Sequence, residues 1–398
     1  MRSAWPRGFT EDIITDLARF PEFRVIGHNS TEVYEGKPAS PTEVGAALGA
    51  GFVVDGSIQR QTDRVRVTAQ FIDAKTGKHL WSNRWDRPDR DLFAIQTEIA
   101  EQVSNRLGGG AGLIQEAGRI TAHRKPPGNL NAYELYLLGT EKLEQINRAD
   151  IEEAIRLLSR AIELDPTLAR AWVELHHSHS VLATFDMEPE KNRRVAAEGA
   201  KRAVALDPAD AEAHAVLGQS LILKGDLARA KAEFDTALRM APNQFETVTF
   251  YAPWASTFGE PEQGADMADR AIHLNPNYPL WSTRFFAHAY FMVGRYDDAL
   301  RMMGRLAPEN YGIWEWTYRP AALAAVGRTP EAKTLISEAL KSFPDLTIEG
   351  RVNEPAYTDA DRKRLIETMR IAGFPPCARP ELLAKIDKPM RLPECLAN

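Results

Sequence analysis

The chain has 398 residues, 44% of them hydrophobic and 26% charged, with a formal net charge of -6. That length exceeds a single compact core and suits two or three domains, or one domain beside an extended array. The acidic balance removes any global electrostatic reason to expect nucleic acid or an anionic membrane as partner, and the lack of an apolar run of about 20 residues excludes a membrane-spanning helix. The start, "MRSAWPRGFTEDII", has no apolar signal-peptide core, so a cytoplasmic protein is expected.

In chain order, "TEDIITDLARF" predicts a helix with Thr10 as its cap and Glu11 and Asp12 in its first turn. "FRVIGHNS" predicts a strand, "SPTEVGAALG" a short helix, and residues 51–87 a three-stranded meander with short turns at Gln61–Asp63 and Lys75–Gly77. Within it Val65, Val67, Ala69 and Phe71 alternate with Arg66, Thr68 and Gln70, which puts the apolar set on one face. "DLFAIQTEIAEQVSNRL" is amphipathic and suited to pack across that sheet. Residues 1–108 are therefore expected to be a small α+β domain. The glycine-rich "LGGGAGLIQ" follows a helix and lacks the GK[ST] ending of a phosphate loop, so residues 109–130 are expected to be a linker.

From residue 131 the period changes. "AIELDPTLARAW" at 161 is echoed by "AVALDPADAEAH", "ALRMAPNQFETV" and "AIHLNPNYPLWS". Pro166, Pro208, Pro242, Pro276, Pro308 and Pro344 mark a register near 34 residues, which Ala154, Ala196, Ala230, Gly264, Ala299 and Ala332 repeat, as do Gly225, Gly259, Gly294 and Gly327. Each unit reads as helix, turn, helix: the glycine frees the turn, the small residue lets helices approach, and the proline ends the second helix. The units cover 131–345. Extra residues stand around Ile146–Asp150 and around Phe185–Asn192, while Pro253 and Pro320 fall inside first helices and should make units four and six irregular. "DADRKRLIETMRIAGF" reads as one more amphipathic helix, so residues 346–398 are expected to be a capping helix and tail. Cys377 and Cys395 fit no metal or redox spacing and are expected to be free thiols, a single bridge being the alternative.

The period and its small, aromatic and proline positions resemble the tetratricopeptide repeat family, which implies a mainly α-helical solenoid with an inner groove. "FTEDIITDLARF", "VVDGSIQRQTDRVRVTAQFIDAKTGKHLWSNRWDR" and "DLFAIQTEIAEQV" resemble the TolB-like domain that lies between the catalytic domain and the repeats of bacterial class III adenylate/guanylate cyclases. In that family an apolar strand precedes the counterpart of "GFTEDI". The resemblance therefore implies either a sheet short of its first strand or a start that is misplaced or truncated, and residues 1–110 are expected to be less stable than the array. The paired-aspartate metal site of the cyclase catalytic domain has no counterpart in any of these segments.

Three stretches invite a chemical reading. "LHHSHS" places His176, His177 and His179 at helical spacing, but two of them occupy packing positions of the repeat, so interface histidines are expected rather than a metal site. Arg84, Asp86, Arg87, Asp89, Arg90 and Asp91 alternate in sign at a strand end and read as a mutually paired surface. Trp81 and Trp85 share one strand face and read as core. Counted in repeat register, the positions facing the groove are Glu212, Ala215 and Gln219 in unit three, Trp281, Arg284 and His288 in unit five, and Trp314 and Thr317 in unit six. Of these Trp281, Arg284, His288, Trp314, Thr317 and Gln219 form the candidate peptide groove, since aromatics beside arginine anchor binding surfaces. No catalytic residue, cofactor or metal is expected. The expected function is non-enzymatic protein–protein interaction, with a protein or peptide partner and no nucleic acid. The alternative is the regulatory C-terminal portion of a class III cyclase, or a partner of a cyclase catalytic chain.

Overall fold

A computed structural model describes the chain except residues 1–4, 21–22, 35–38, 90–91, 110–111, 186–188, 387 and 397–398. It divides into two compact units, residues 1–118 with the loops 243–245 and 273–275, and the rest from Arg119 onward.

In the first unit β1 (Phe52–Arg60), β2 (Arg64–Asp73) and β3 (His79–Pro88) form an antiparallel sheet in that order. Val65, Val67, Ala69 and Phe71 reach one face, each at most 5% exposed. Against them lies the helix Leu92–Leu107, whose Ile95, Ile99, Val103 and Leu107 recur at helical spacing and share a core with Trp85. The Trp85 indole N–H donates to Gln102 Oε1 of that helix at 2.8 Å, and Trp81 meets Trp85 edge-on at 6.1 Å. β1 is the open member: Asp55, Gly56 and Ser57 are exposed, and its outer edge pairs with no strand among the described residues.

Three local expectations fail. The first helix runs Trp5–Leu17, so Thr10 lies inside it and cannot cap it. Residues 23–27 form no strand, and His28–Thr31 is helical. Phe23 and Val25 pack against the core, so their alternation serves side-chain burial alone; no neighbouring strand among the described residues offers a ladder to their backbone. The stretch expected as linker carries a helix, Leu113–Ala122, while Gly110 and Ala111 of the glycine run lie outside the described residues.

The second unit stacks six helical hairpins. They pair Ala132–Leu143 with Arg148–Leu164, Ala169–Thr184 with Pro189–Leu206, Ala211–Ile222 with Leu227–Met240, Phe245–Tyr251 with Pro261–Leu274, Thr283–Met292 with Tyr296–Met303, and Ile313–Ala325 with Thr329–Ser342. The turn glycines Gly225, Gly259, Gly294 and Gly327 have φ of 76, 78, 79 and 82°, the left-handed region that side chains avoid. In each turn the next residue's N–H reaches back to satisfy an orphan carbonyl: Asp226 to Leu221, Glu260 to Ala255, Arg295 to Tyr290 and Arg328 to Leu323. The four-fold identity of this bond is what the glycine ruler encodes.

Ala154, Ala230, Ala299 and Ala332 are fully buried at the helix crossings. Gly264 takes the same place in unit four, where a Cβ would stand 2.5 Å from the Ala252 carbonyl oxygen, leaving no room even for alanine. The α-helix of that unit gives way to a 3-10 helix over Ala252–Phe258, at Pro253, as the missing N–H requires. In unit six the helix passes through Pro320 unbroken, against expectation, and Pro320 is itself buried. Unit one's extra residues form a turn at Ile146, which has φ of 53° and is buried. Unit two's include residues 186–188, outside the described set.

The helix Asp359–Ala372 packs on both helices of unit six and buries Leu365, Met369 and Ala372. Thr358 caps it in a reciprocal box with Asp361. The tail then folds back. Ile348 N–H and Glu349 N–H donate to the carbonyls of Pro375 and Pro376 at 2.9 and 3.0 Å, which brings Cys377 beside Cys395. The two form a disulfide with Cα atoms 5.5 Å apart, so the expectation of free thiols is wrong: spacing along the chain carries no sign of the backbone fold that joins them. No helix among the described residues is long and apolar enough to cross a membrane.

Candidate functional site

The first helices of successive units lie side by side, so residues at one repeat position meet their counterparts in the next unit. Arg170 and Glu212 each stand four residues past their repeat proline. Arg170 Nη1 accordingly binds Glu212 Oε2, and its Nε lies 2.8 Å from Asp210 Oδ2. Units five and six are joined by a second such pair, one position out of register: Arg284 Nε lies 3.2 Å from Glu315 Oε1, with only 6% and 2% of their surfaces exposed. Glu315 Oε2 also accepts the Gly312 N–H at 3.0 Å, closing the start of its helix. Charges this deep persist only when paired.

Rings run along the same face. His177 stacks on Phe250 at 4.6 Å and Phe250 on Trp281 at 5.3 Å. Trp314 reaches Trp254 at 5.5 Å and His288 at 5.1 Å. Burial, reinforced by the charge of Arg351, pushes the His288 imidazole down to about 3, so the ring is neutral at physiological pH. Beneath it Tyr318 and Tyr357 share a hydroxyl hydrogen bond of 2.6 Å.

Of the six candidate groove residues, Trp281 and Trp314 are half-buried and rest on the core. Arg284, His288, Thr317 and Gln219 are buried. Trp281, Arg284, His288 and Trp314 come together; Thr317 donates back to the Ile313 carbonyl of its own helix at 2.6 Å, and Gln219 sits in unit three beside His176. The two indoles are less buried than Arg284 and Glu315.

The histidine group is spent on packing. His176 Nδ1 lies 3.0 Å from the Ala196 carbonyl oxygen, and burial drives its pKa down to about 3. His177 faces Glu212 at 3.4 Å and His179 faces Asn192 at 2.8 Å. No group of three metal-binding side chains is present among the described residues. In the charged strand end Asp86 holds Arg66 at 2.6 Å and Arg87 holds Glu98 at 2.6 Å, while Asp89 binds Arg60; Arg90 and Asp91 lie outside the described residues. Sequence reasoning missed Trp254, Glu315 and Glu174 on the first-helix face. Glu315 was findable, since an arginine inside an apolar helix calls for an acid in the neighbouring unit.

Helical hairpins stacked in one register, with a small three-stranded α+β unit, make the fold a tetratricopeptide-type solenoid, and the profile of the tetratricopeptide repeat family matches residues 191–245. The chain is similar to a putative adenylate cyclase 3 of Rhizobium meliloti, with 37% identity over 179 residues, 45% of this chain and 29% of the relative. It thus spans less than a third of the length of the curated relative it matches. Among solved structures it is similar to YrrB, described as a TPR protein with an unusual peptide-binding site, at 18% identity and a TM-score of 0.29 over 47% of this chain and 93% of that one. It is also similar to PilF of Pseudomonas aeruginosa, at 16% identity and a TM-score of 0.33 over 58% of this chain and 95% of that one.

Proposed function

We propose that the array is a protein-interaction module that binds an extended or helical segment of a partner along its first-helix face, with Trp281 and Trp314 as anchors. The observation that carries this reading is that these two indoles remain partly exposed where they pack on the core of the array, so that the rings offer a partner apolar area. Replacing either with alanine is expected to cost on the order of 2 kcal/mol or more of binding to the co-purifying partner, with little loss of fold. Unchanged affinity with a melting loss worth about 3–5 kcal/mol would instead make them core.

A second reading has support of its own. The 37% identity to a putative adenylate cyclase favours a regulatory role toward a cyclase, as part of a longer product or as a separate partner. On either reading this chain supplies no cyclase chemistry. Incubated with ATP or GTP and Mg²⁺ or Mn²⁺, the purified chain is expected to yield no cyclic nucleotide; product above background from protein of proven purity would contradict this.

A further inference from the structure

Two stretches of the tail meet at one carboxylate. Glu349, on the short helix Ile348–Val352 and fully buried, takes the Ala378 N–H on Oε2 at 3.0 Å. Its Oε1 takes the Leu392 N–H and Arg391 Nε, each at 2.9 Å. One turn on, the Asn353 amide pairs with the backbone of Met390 much as a neighbouring strand would. Its Oδ1 accepts the Met390 N–H at 2.7 Å, and its Nδ2 donates to the Met390 carbonyl at 3.0 Å. The disulfide joins the same two stretches, since Cys377 precedes Ala378 and Cys395 follows Leu392 closely. The stretches are held differently. The first is tied to the array by backbone bonds, from the Ile348 and Glu349 N–H groups to the carbonyls of Pro375 and Pro376. The second is fastened by the Glu349 and Asn353 side chains, by an exposed Arg370–Glu394 pair that contributes little, and by the disulfide. Backbone amides on either side of one arginine are what residues 390–392 present to Glu349 and Asn353, and any extended segment with a central arginine presents the same.

We propose that Glu349 and Asn353 form a recognition site for an arginine-bearing extended segment of a partner, occupied in cis by residues 390–392 and opened by reduction of the Cys377–Cys395 bond. The site lies at the end of the array and does not depend on the first-helix face. Closed, the bond ties the cis ligand into a ring anchored at Ala378, which keeps it seated against a competitor. Opened, the same residues hang on a tether whose effective concentration is about millimolar, within reach of a competitor in solution. The reductant is a dithiol. Its first thiolate attacks the half-buried Cys377 sulfur, and Cys395 leaves as a thiolate and takes a proton. The reductant's second thiol then resolves the mixed disulfide, so that two cysteine thiols form and the dithiol becomes its own disulfide.

The test is fluorescence anisotropy of the full chain, oxidised or in dithiothreitol, with a labelled peptide Lys-Pro-Met-Arg-Leu-Pro-Glu that copies residues 388–394. The reduced chain is expected to bind it about tenfold tighter than the oxidised chain does. Citrulline in place of the peptide's arginine removes the charge and should weaken binding about tenfold. Cys395→Ser should bind as the reduced chain does, with or without dithiothreitol, and Asn353→Ala should weaken binding to the reduced chain. The proposal is overturned if oxidised and reduced chains bind alike, if the reduced chain does not bind at about millimolar peptide, if the citrulline peptide binds as well, or if Asn353→Ala changes nothing. Loss of cooperative melting on reduction would make the bond a staple of the array and overturns it too. So does a dimer that forms on reduction and excludes the peptide, which assigns the site to the tail of a second copy.

Discussion

Glu315→Leu is expected to destabilise the array by about 3–5 kcal/mol, the range for stranding one member of a buried ion pair. The substitution leaves the Arg284 guanidinium 6% exposed with no carboxylate, and it also removes the acceptor for the Gly312 N–H. The pair is imperfect as it stands: Arg284 Nη2 is buried without a hydrogen-bond partner. For that reason Arg284→Met combined with Glu315→Leu should be far closer to the parent than Glu315→Leu alone, because apolar replacement of both ions removes the desolvation cost together with the attraction. Urea unfolding of the two single variants and the double variant measures this. Additive losses would mean that the two side chains do not depend on each other.

The second large effect belongs to Glu349, a fully buried carboxylate at the end of the array. It accepts from the Ala378 N–H at 3.0 Å, the Leu392 N–H at 2.9 Å and Arg391 Nε at 2.9 Å. Burial opposes its charge, but Arg391 and the two backbone donors outweigh it, so the group lies below the usual carboxylate range. Glu349→Ala orphans the two buried N–H groups at about 1–3 kcal/mol each, and should release the tail from Ile348–Val352 and lower the melting temperature. The depressed value also fixes a pH dependence. Its stabilisation is complete above the unfolded value, about 4.3, and is lost as pH falls through the lower folded value. Glu349→Gln should therefore flatten the acid limb of a melting-temperature profile below about pH 4.3. An unaltered limb would show that the carboxylate is not what holds the tail.

The repeat was legible because each of its signals answers a local physical demand: a glycine where φ is positive, a small residue where helices touch, a proline where a helix must end. Pro253 was readable for the same reason, since a missing N–H acts within its own turn. Pro320 was not: the same missing N–H is present there, yet the helix runs on through it. Side-chain alternation misled at Phe23 and Val25, where the periodicity of burial was present without a ladder. The disulfide was invisible because its two cysteines meet through backbone bonds made at Ile348 and Glu349. On the first-helix face, repeat register found the indoles, Arg284 and Glu212. It did not find that Arg284 and His288 are roofed over, because register gives direction and not depth.

Site-specific photo-crosslinking in the source cell tests the binding face most directly. A benzophenone side chain replaces Trp281 or Trp314 in one set of cells, and Glu262 or Lys333, which are exposed on second helices, in another. The account predicts that one partner protein is captured from positions 281 and 314 and not from 262 and 333. Capture of the same protein from the second-helix positions, with none from 281 or 314, would contradict it.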